Sequence, residues 1–195
     1  MRSADITRKT TETEISLSLN IDGKGSYDIQ TGVGFLDHML ELFARHGCFD
    51  LQLRCAGDLR VDAHHTTEDI GICLGRAFAQ AAGERRGITR YGSALLPMDE
   101  SLVLCAVDFG GRSYLRYDLQ LAAQRVGDFD TELVEEFMRA FCANAGMNLH
   151  IKTISAGNTH HMVEAAFKGL ARALRQALRV DAALSEEIPS TKGAL

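Results

Sequence analysis

Two short segments share the pattern His-His-x-x-Glu, and their residue types are suited to binding metal ions. The first consists of His64, His65 and Glu68, and the second of His160, His161 and Glu164. Imidazole and carboxylate ligands without thiolates favour manganese, iron, cobalt or zinc, whereas calcium and magnesium prefer oxygen alone. Six-coordinate geometry would favour manganese. The sequence therefore predicts a metal pair whose ligands are divided between the two segments.

The spacing within each segment determines which side chains can share an ion. Each segment opens a predicted helix, on which residues three or four positions apart share a face and adjacent residues point about 100° apart. One histidine of each pair can therefore share an ion with its glutamate, while the other points elsewhere. Two segments related by approximate two-fold symmetry would each give a histidine and a glutamate to one ion and a histidine to the other.

Other residues near these segments are candidates for supporting roles. His38, on a predicted helix, and His150, predicted to point inward from a strand, could complete the two ligand shells. Asp62 and Asp69 could orient ring N–H groups, although helix capping or a surface position explains them equally well. His46 lies at a helix end, where positive charge is favoured, and is interpreted as structural. The simplest alternative is that each histidine pair is only a solvated helix start.

The order of predicted elements is the same in the two halves of the chain. Alternating apolar residues predict a hairpin over 15–29, followed by a helix ending at Gly47, a strand over 49–55 and a helix from His64 to Gly83. Strands over 102–107 and 114–119, a helix over 132–145, a strand at 148–151 and a last helix repeat that order. The sequence predicts an α+β fold of two strand-strand-helix-strand-helix units, residues 1–92 and 93–195, with two antiparallel sheets, each covered by helices on one face.

Composition and charge limit the class of partner. The 195 residues are 46% apolar and carry a formal net charge of -5, which favours a globular protein with a small-molecule substrate over one that binds nucleic acid or a membrane surface. No apolar run approaches the roughly 18 residues of a membrane span, and the first residues lack the apolar core of a secretory signal. Five cysteines, an odd number without a CxxC pair, favour reduced thiols and a cytoplasmic location.

Several segments together resemble the imidazoleglycerol-phosphate dehydratase family along nearly the whole chain. They are GFLDHML (34–40), RHG (45–47), DAHHTTED (62–69), GITRYG (87–92), PMDE (97–100), DFGGR (108–112), NLH (148–150), GNTHHMVE (157–164) and PSTKG (189–193). The resemblance implies a hydro-lyase that converts D-erythro-imidazole glycerol phosphate to imidazole acetol phosphate in histidine biosynthesis. It also implies a ribosomal S5 domain 2-like fold, two manganese ions per active site, and a homo-oligomer of twenty-four subunits with sites between neighbours.

The resemblance also implies roles for individual residues. The metal ligands would be His38, His64, His65, Glu68, His150, His160, His161 and Glu164. The acid-base glutamate would be Glu12 rather than Glu14, because residues 8–13 carry the family's Arg-x-Thr-x-Glu-Thr pattern. Substrate contacts would be Glu12, His38, His46 and a phosphate-binding set of Arg90, Arg112, Ser190 and Lys192, which by residue type alone are ordinary surface residues. Three positive charges and a hydroxyl suit a phosphate dianion.

The expected chemistry requires an electron sink, because the lost hydrogen lies on an unactivated carbon and hydroxide is a poor leaving group. An imidazolate held between two manganese ions would provide that sink. A dinuclear metallohydrolase, with hydroxide between the ions, uses the same ligands and remains an alternative. A metal-storage or metal-bridged assembly protein is another, and would bind no substrate. A ferritin-like bundle is disfavoured because much of the chain is predicted to form strands and glycine turns.

Overall fold

The computed structural model describes residues 1–193, which form two successive sets of strands and helices. The first set is β1 (Ser3–Lys9), β2 (Thr13–Asn20), β3 (Tyr27–Gln30), α1 (Gly34–Gly47), β4 (Asp50–Gly57) and α2 (His64–Ala82). The second set is β5 (Tyr91–Met98), β6 (Ser101–Asp108), β7 (Tyr114–Asp118), β8 (Arg125–Val126), β9 (Phe129–Asp130), α3 (Glu132–Ala145), β10 (Asn148–Ser155) and α4 (Thr159–Ala177). A short 3-10 helix, Ala182–Leu184, follows α4.

Two four-stranded sheets have the same strand arrangement. Their orders are β1-β2-β4-β3 and β5-β6-β10-β7, and β8 and β9 form a separate small hairpin. In each large sheet the first two strands form an antiparallel hairpin, and the last strand of the set lies beside the second. The α+β class predicted from the sequence is confirmed. The predicted division after residue 92 falls inside β5, whereas a division before Tyr91 keeps that strand whole.

The expectation of antiparallel sheets holds for two of the three strand pairs in each sheet, but the third pair of each sheet is parallel. β3 runs parallel to β4, and β7 runs parallel to β10. In both cases a helix lies between the two strands in sequence, and such a crossover returns the chain in the same direction. The helices α1 and α3 therefore determine the parallel edges of the two sheets.

The hairpin predicted for β2 and β3 is also wrong, because β4 lies between these strands. The predicted turn is present, but its backbone N–H groups at Lys24, Gly25 and Ser26 donate to the carboxylate of Asp50, the first residue of β4. The first residue of β4 therefore fixes the turn that leads into β3, the parallel neighbour of β4. The strand β1 had not been predicted, because Ala4 and Ile6 are its only apolar residues.

The helices lie between the two sheets and enclose one core. α1 and α2 rest on the first sheet, α4 rests on the second and α3 contacts its edge strand β7, while α2 packs on α3 and α1 on α4. A Cβ atom at Gly75 would lie 2.6 Å from the carbonyl oxygen of Phe141, so glycine permits the close approach of α2 and α3. The largest buried side chains include Phe43, Phe49, Phe78, Phe109, Phe137, Phe141 and Phe167.

The helix ends agree with the glycine signals in α2, which ends before Gly83, and in α3, and differ by one residue in α1. α3 spans the predicted residues, and Gly146 after it is left-handed with φ 65°. In α1, Gly47 is the last helical residue, and the left-handed position is Cys48 with φ 53°. No helix within residues 1–193 has the length and apolar character needed to span a membrane.

Candidate functional site

Three potential metal ligands from two helices meet at the contact between α1 and α4. His38 comes from α1, and His160 and Glu164 come from the first turns of α4; their ligand atoms all lie within 4.8 Å of one another. Nε2 of His160 is 3.3 Å and Nε2 of His38 is 3.9 Å from Oε2 of Glu164. Ligands about 2.1 Å from a common ion must lie within about 4.2 Å of one another, and both distances satisfy this limit.

The carboxylate of Glu164 is the buried member of this group. Its other oxygen accepts a hydrogen bond from Nζ of Lys168, one turn further along α4. Burial alone would raise the pKa of Glu164, but Lys168 and the two histidines hold that pKa below its ordinary value. Glu164 is therefore ionised at neutral pH, as a metal ligand must be. Lys168 had not been singled out from the sequence, although its spacing of four residues from Glu164 is that of a helical ion pair.

The second histidine of the same segment points to a different acidic group. Nδ1 of His161 lies 3.2 Å from Oε2 of Glu100 and 3.9 Å from Oδ2 of Asp99, both in the turn between β5 and β6. The adjacent rings of His160 and His161 are thus directed to different partners, as the helical geometry predicts. Hydrogen bonds from backbone N–H groups, led by that of Asn158, lower the pKa of Glu100 to about 2.

The first His-His-x-x-Glu segment has carboxylates on both sides of His65. Nδ1 of His65 is 3.0 Å from Oδ2 of Asp58, and its Nε2 is 3.7 Å from Oε1 of Glu12. The hydrogen bond with Asp58 and the charge of Glu12 raise the pKa of His65. Within residues 1–193, His64 and Glu68 join no group of three ligands. Asp58 had not been singled out from the sequence.

The two aspartates proposed to orient histidine rings make other contacts. Asp62 accepts the backbone N–H of His64 at 2.7 Å, so it caps the start of α2. Asp69 is buried and binds Arg8 at 2.8 Å and the hydroxyl of Thr13 at 2.5 Å. Because Arg8 and Thr13 flank the turn that carries Glu12, Asp69 joins that turn to α2.

The expectation that His150 points inward is wrong, because its side chain lies on the outer face of the second sheet. The neighbouring Leu149 and Ile151 are buried, whereas His150 is exposed beside Tyr114. The apolar residues of the strand occupy the inward face, which leaves the outer face to the histidine. No group of potential ligands within residues 1–193 combines His150, or the first segment, with the second segment.

The four predicted phosphate-binding residues line one cleft. Arg90, Arg112, Ser190 and Lys192 surround a cavity of about 610 Å³. Arg90 is anchored, since it donates to Asp108 at 2.7 Å and to the carbonyl of Pro189 at 2.9 Å. The side chains of Arg112 and Lys192 have no ion-pair partner among the described residues. The cleft therefore presents cationic groups that are free to bind an anion.

His46 lies in a different and larger cavity of about 940 Å³, together with Arg172, Arg175 and Arg179. Burial and the neighbouring Lys168 and Arg172 lower the pKa of His46. The uncharged form is therefore favoured, which argues against the expectation that His46 supplies a stabilising positive charge at the end of α1.

The geometry defines a class: an α+β protein with a histidine and carboxylate centre between helices and a separate cationic cleft. Comparison with known proteins gives the family. The model of the imidazoleglycerol-phosphate dehydratase family matches residues 31–174. The chain is 58% identical over 195 residues to imidazoleglycerol-phosphate dehydratase from Thermoanaerobacter sp. (strain X514) and 54% identical over 195 residues to that from Jannaschia sp. (strain CCS1), covering 100% of each chain.

Solved structures agree with this family. The imidazoleglycerol-phosphate dehydratase of Staphylococcus aureus subsp. aureus N315 superposes with a TM-score of 0.84 at 42% identity, covering 92% of this chain and 99% of the other. The enzyme from Pyrococcus furiosus, in complex with (S)-C348, gives 0.84 at 38% identity, covering 97% and 100%. The chain belongs to the imidazoleglycerol-phosphate dehydratase family, and it is accordingly a hydro-lyase of histidine biosynthesis.

Proposed function

We propose that the chain dehydrates D-erythro-imidazole glycerol phosphate to imidazole acetol phosphate with the help of two manganese ions per active site. The observation that carries this proposal is the meeting of His38, His160 and Glu164 within 4.8 Å, in a chain of this family. Two imidazole nitrogens and an ionised carboxylate form a donor set that suits manganese. The full proposed set adds His64, His65, Glu68, His150 and His161.

The proposed histidine and glutamate ligands would hold the two ions, and bound manganese would supply positive charge that lets the substrate ring act as an electron sink. Glu12 is proposed to move the proton. Its side chain is half exposed, and its turn is held by the hydroxyl of Thr10, which accepts the backbone N–H of Glu12 at 3.1 Å. A carboxylate on a supported turn can reach a substrate bound near His65 and still exchange protons with solvent.

The cleft lined by Arg90, Arg112, Ser190 and Lys192 is proposed to bind the substrate phosphate. Arg112 and Lys192 supply the positive charge, and the hydroxyl of Ser190 adds a donor. Arg90 retains two N–H groups beyond those it donates to Asp108 and Pro189. It can therefore bind the phosphate while it also holds the C-terminal tail, residues 189–192. His38 and His46 are proposed as further substrate contacts.

Assembly of the active site between subunits is part of the proposal. His150 is exposed on the outer face of the second sheet, and the first segment lies apart from the second. Ligands from different subunits could therefore complete each metal pair, and we propose a homo-oligomer of twenty-four subunits in the cytoplasm. Each ion would then hold neighbouring subunits together.

The test combines metal analysis with a product assay. Purified protein is analysed for bound metal, stripped with a chelator and assayed for imidazole acetol phosphate with and without added manganese. We expect about two manganese ions per subunit, loss of activity on stripping and recovery on addition of Mn²⁺. Turnover of phosphate or amide esters without this product would instead support a metallohydrolase. Metal binding without any turnover would support a storage or assembly protein.

A further inference from the structure

The second histidine of each segment has one ring nitrogen occupied by a carboxylate. Nδ1 of His65 faces Asp58 at 3.0 Å, and Nδ1 of His161 faces Glu100 at 3.2 Å. An ionised carboxylate can only accept a hydrogen bond, so the proton of each neutral ring lies on Nδ1. Nε2 of each ring is then left with a free lone pair.

Glu100 is held by more than its histidine. Its Oε1 atom accepts the backbone N–H of Asn158 at 2.6 Å and the hydroxyl of Ser101 at 3.0 Å. A Cβ atom at Gly157 would lie 2.2 Å from the same oxygen, so glycine there allows the carboxylate to approach the start of α4. These contacts connect the β5–β6 turn directly to the two residues that precede the helix.

Asp58 reaches the same position in the first half from a different element. It follows β4, and its backbone N–H donates to the carbonyl of Glu12 at 3.0 Å. Its Oδ1 atom is buried and has no hydrogen-bond partner among the described residues, so the whole polar interaction of the side chain is directed to His65. A buried carboxylate oxygen without a partner lowers the stability of the fold, so the position of Asp58 calls for an explanation.

The two halves therefore use different elements for the same contact. The β5–β6 turn supplies Glu100 to Nδ1 of His161, whereas the corresponding β1–β2 turn supplies Glu12, which lies 3.7 Å from Nε2 of His65. In the first half, Asp58 contacts Nδ1 of His65, and Glu12 lies on the opposite side of the same ring, near Nε2.

We propose that Asp58 and Glu100 are positioning residues that present Nε2 of His65 and of His161 to the metal ions. This role rests on the proposed function, since it requires that both histidines bind metal. A histidine ligand whose other nitrogen donates to a carboxylate is fixed in tautomer and orientation and is more basic. In the first half, Asp58 takes over this role and leaves Glu12 available for proton transfer.

The test measures manganese affinity in the assembled enzyme after chelation and reloading. Glu100→Gln and Asp58→Asn retain an oxygen acceptor and the side-chain volume, but remove the charge. We expect each substitution to weaken binding of one of the two Mn²⁺ ions per subunit by roughly 10- to 100-fold, with little change in the other. Because backbone hydrogen bonds lower the pKa of Glu100, Glu100→Gln should also lower the melting temperature of the metal-free protein. The distinguishing result is therefore the loss of one Mn²⁺ ion with the other retained, which a merely structural role would not give. Glu100→Ala should cause the larger loss.

Neighbouring carboxylates provide matched controls. Asp99→Asn changes the same turn as Glu100 but lies 3.9 Å from Nδ1 of His161, and Asp62→Asn preserves a helix cap beside His64. Both should keep wild-type manganese affinity. Equal losses in Asp99→Asn and Glu100→Gln, or wild-type affinity in Glu100→Gln and Asp58→Asn, would overturn the positioning role. Failure of the wild-type protein to bind manganese would instead contradict the proposed function.

Discussion

The two His-His-x-x-Glu segments have the same residues but different surroundings. In the second, the side chain of Asn158 accepts the backbone N–H groups of His160 and His161, and α1 brings His38 to Glu164. In the first, α2 starts at His64, whose backbone N–H donates to Asp62, and neither His64 nor Glu68 belongs to a group of three potential ligands within residues 1–193. A repeated motif therefore gives a repeated set of potential ligands, while the neighbouring elements determine how many potential ligands meet within one chain.

The turns that precede the two segments differ in a similar way. Glu100 is bound by backbone, hydroxyl and imidazole groups, whereas the carboxylate of Glu12 has one distant imidazole nitrogen as its partner among residues 1–193. A carboxylate with several fixed partners is suited to holding a ring, and one with few partners is suited to exchanging a proton. The difference between these turns indicates how a duplicated unit can acquire two distinct roles.

The largest expected effect is at Glu12. Glu12→Gln should lower turnover by about 10²- to 10⁴-fold, which is the usual contribution of a general acid or base. Both manganese ions should remain bound, as measured by metal analysis beside a product assay. Glu14→Gln is the control, because Glu14 is exposed and pairs with Lys9. Normal turnover in Glu12→Gln would remove Glu12 from the mechanism.

Substitution of the first histidine in each segment tests whether both sites bind metal. His160→Ala and His64→Ala should each lower metal content and loosen the assembly, as measured by metal analysis and size-exclusion chromatography. Loss of a direct ligand should weaken metal binding by more than the roughly 10- to 100-fold cost of a lost outer partner. A full metal complement in either variant would contradict the ligand set.

Two arginines of the cationic cleft should differ in their effects, because one should affect substrate binding alone and the other both binding and stability. Arg112→Gln should raise KM about tenfold to a hundredfold, because a charge-assisted hydrogen bond contributes about 1.5–3 kcal/mol. Its melting temperature should stay near that of the wild type, since Arg112 has no ion-pair partner among the described side chains. Arg90→Gln should lower stability as well, because Arg90 pairs with Asp108. An unchanged KM for Arg112→Gln would argue against phosphate binding in this cleft.

The smallest expected effect is at Asp50, the first residue of β4, whose counterpart in β10 is Asn148. Asp50 accepts three backbone N–H groups, whereas Asn148 in β10 donates to the carbonyl of Arg112. Hydrogen bonds from Ser26 and Lys24 lower the pKa of Asp50, so the ionised group stabilises the fold. Asp50→Asn should lower the free energy of unfolding at pH 7 by about 1–3 kcal/mol.

The effect at Asp50 should depend on pH in a defined direction. A lowered pKa in the folded state gives stability that is present above the unfolded pKa of about 3.9 and is lost as pH falls through the folded value. Denaturant unfolding of wild type and Asp50→Asn should therefore differ at pH 7 and converge in strong acid. A difference that persists at low pH would mean that packing, rather than charge, accounts for the effect.

Much of this architecture could be predicted from sequence periodicity. Helical spacing locates the four α-helices of residues 1–193, and the divergence of adjacent histidines follows from helical geometry. The parallel edges could not be predicted, because they depend on long-range pairing. The outward side of His150, by contrast, follows from its alternation with the apolar Leu149 and Ile151, and the sequence-based expectation assigned it to the wrong face.

The contact of Glu100 joins it to a residue that is distant in sequence, and the contact of Asp58 spans the loop before α2, so residue spacing alone specifies neither. The contact of Lys168 with Glu164 has the spacing of a helical ion pair and could have been inferred. Glu100 belongs to the segment PMDE (97–100), on which the family resemblance rests, but that segment does not indicate the contact with His161.

The hydrogen bond from Arg90 to the carbonyl of Pro189 makes the C-terminal tail one wall of the cationic cleft. A ligand that contacts both Arg112 and Lys192 binds only when that wall is docked, so ligand binding and tail docking are linked equilibria. The measured affinity then includes the free energy of docking, and loss of the Arg90–Pro189 hydrogen bond lowers affinity even when the contacts of Arg112 and Lys192 with the ligand remain. Ligand at the cleft would, by the same reciprocity, protect residues 189–192 from proteolysis.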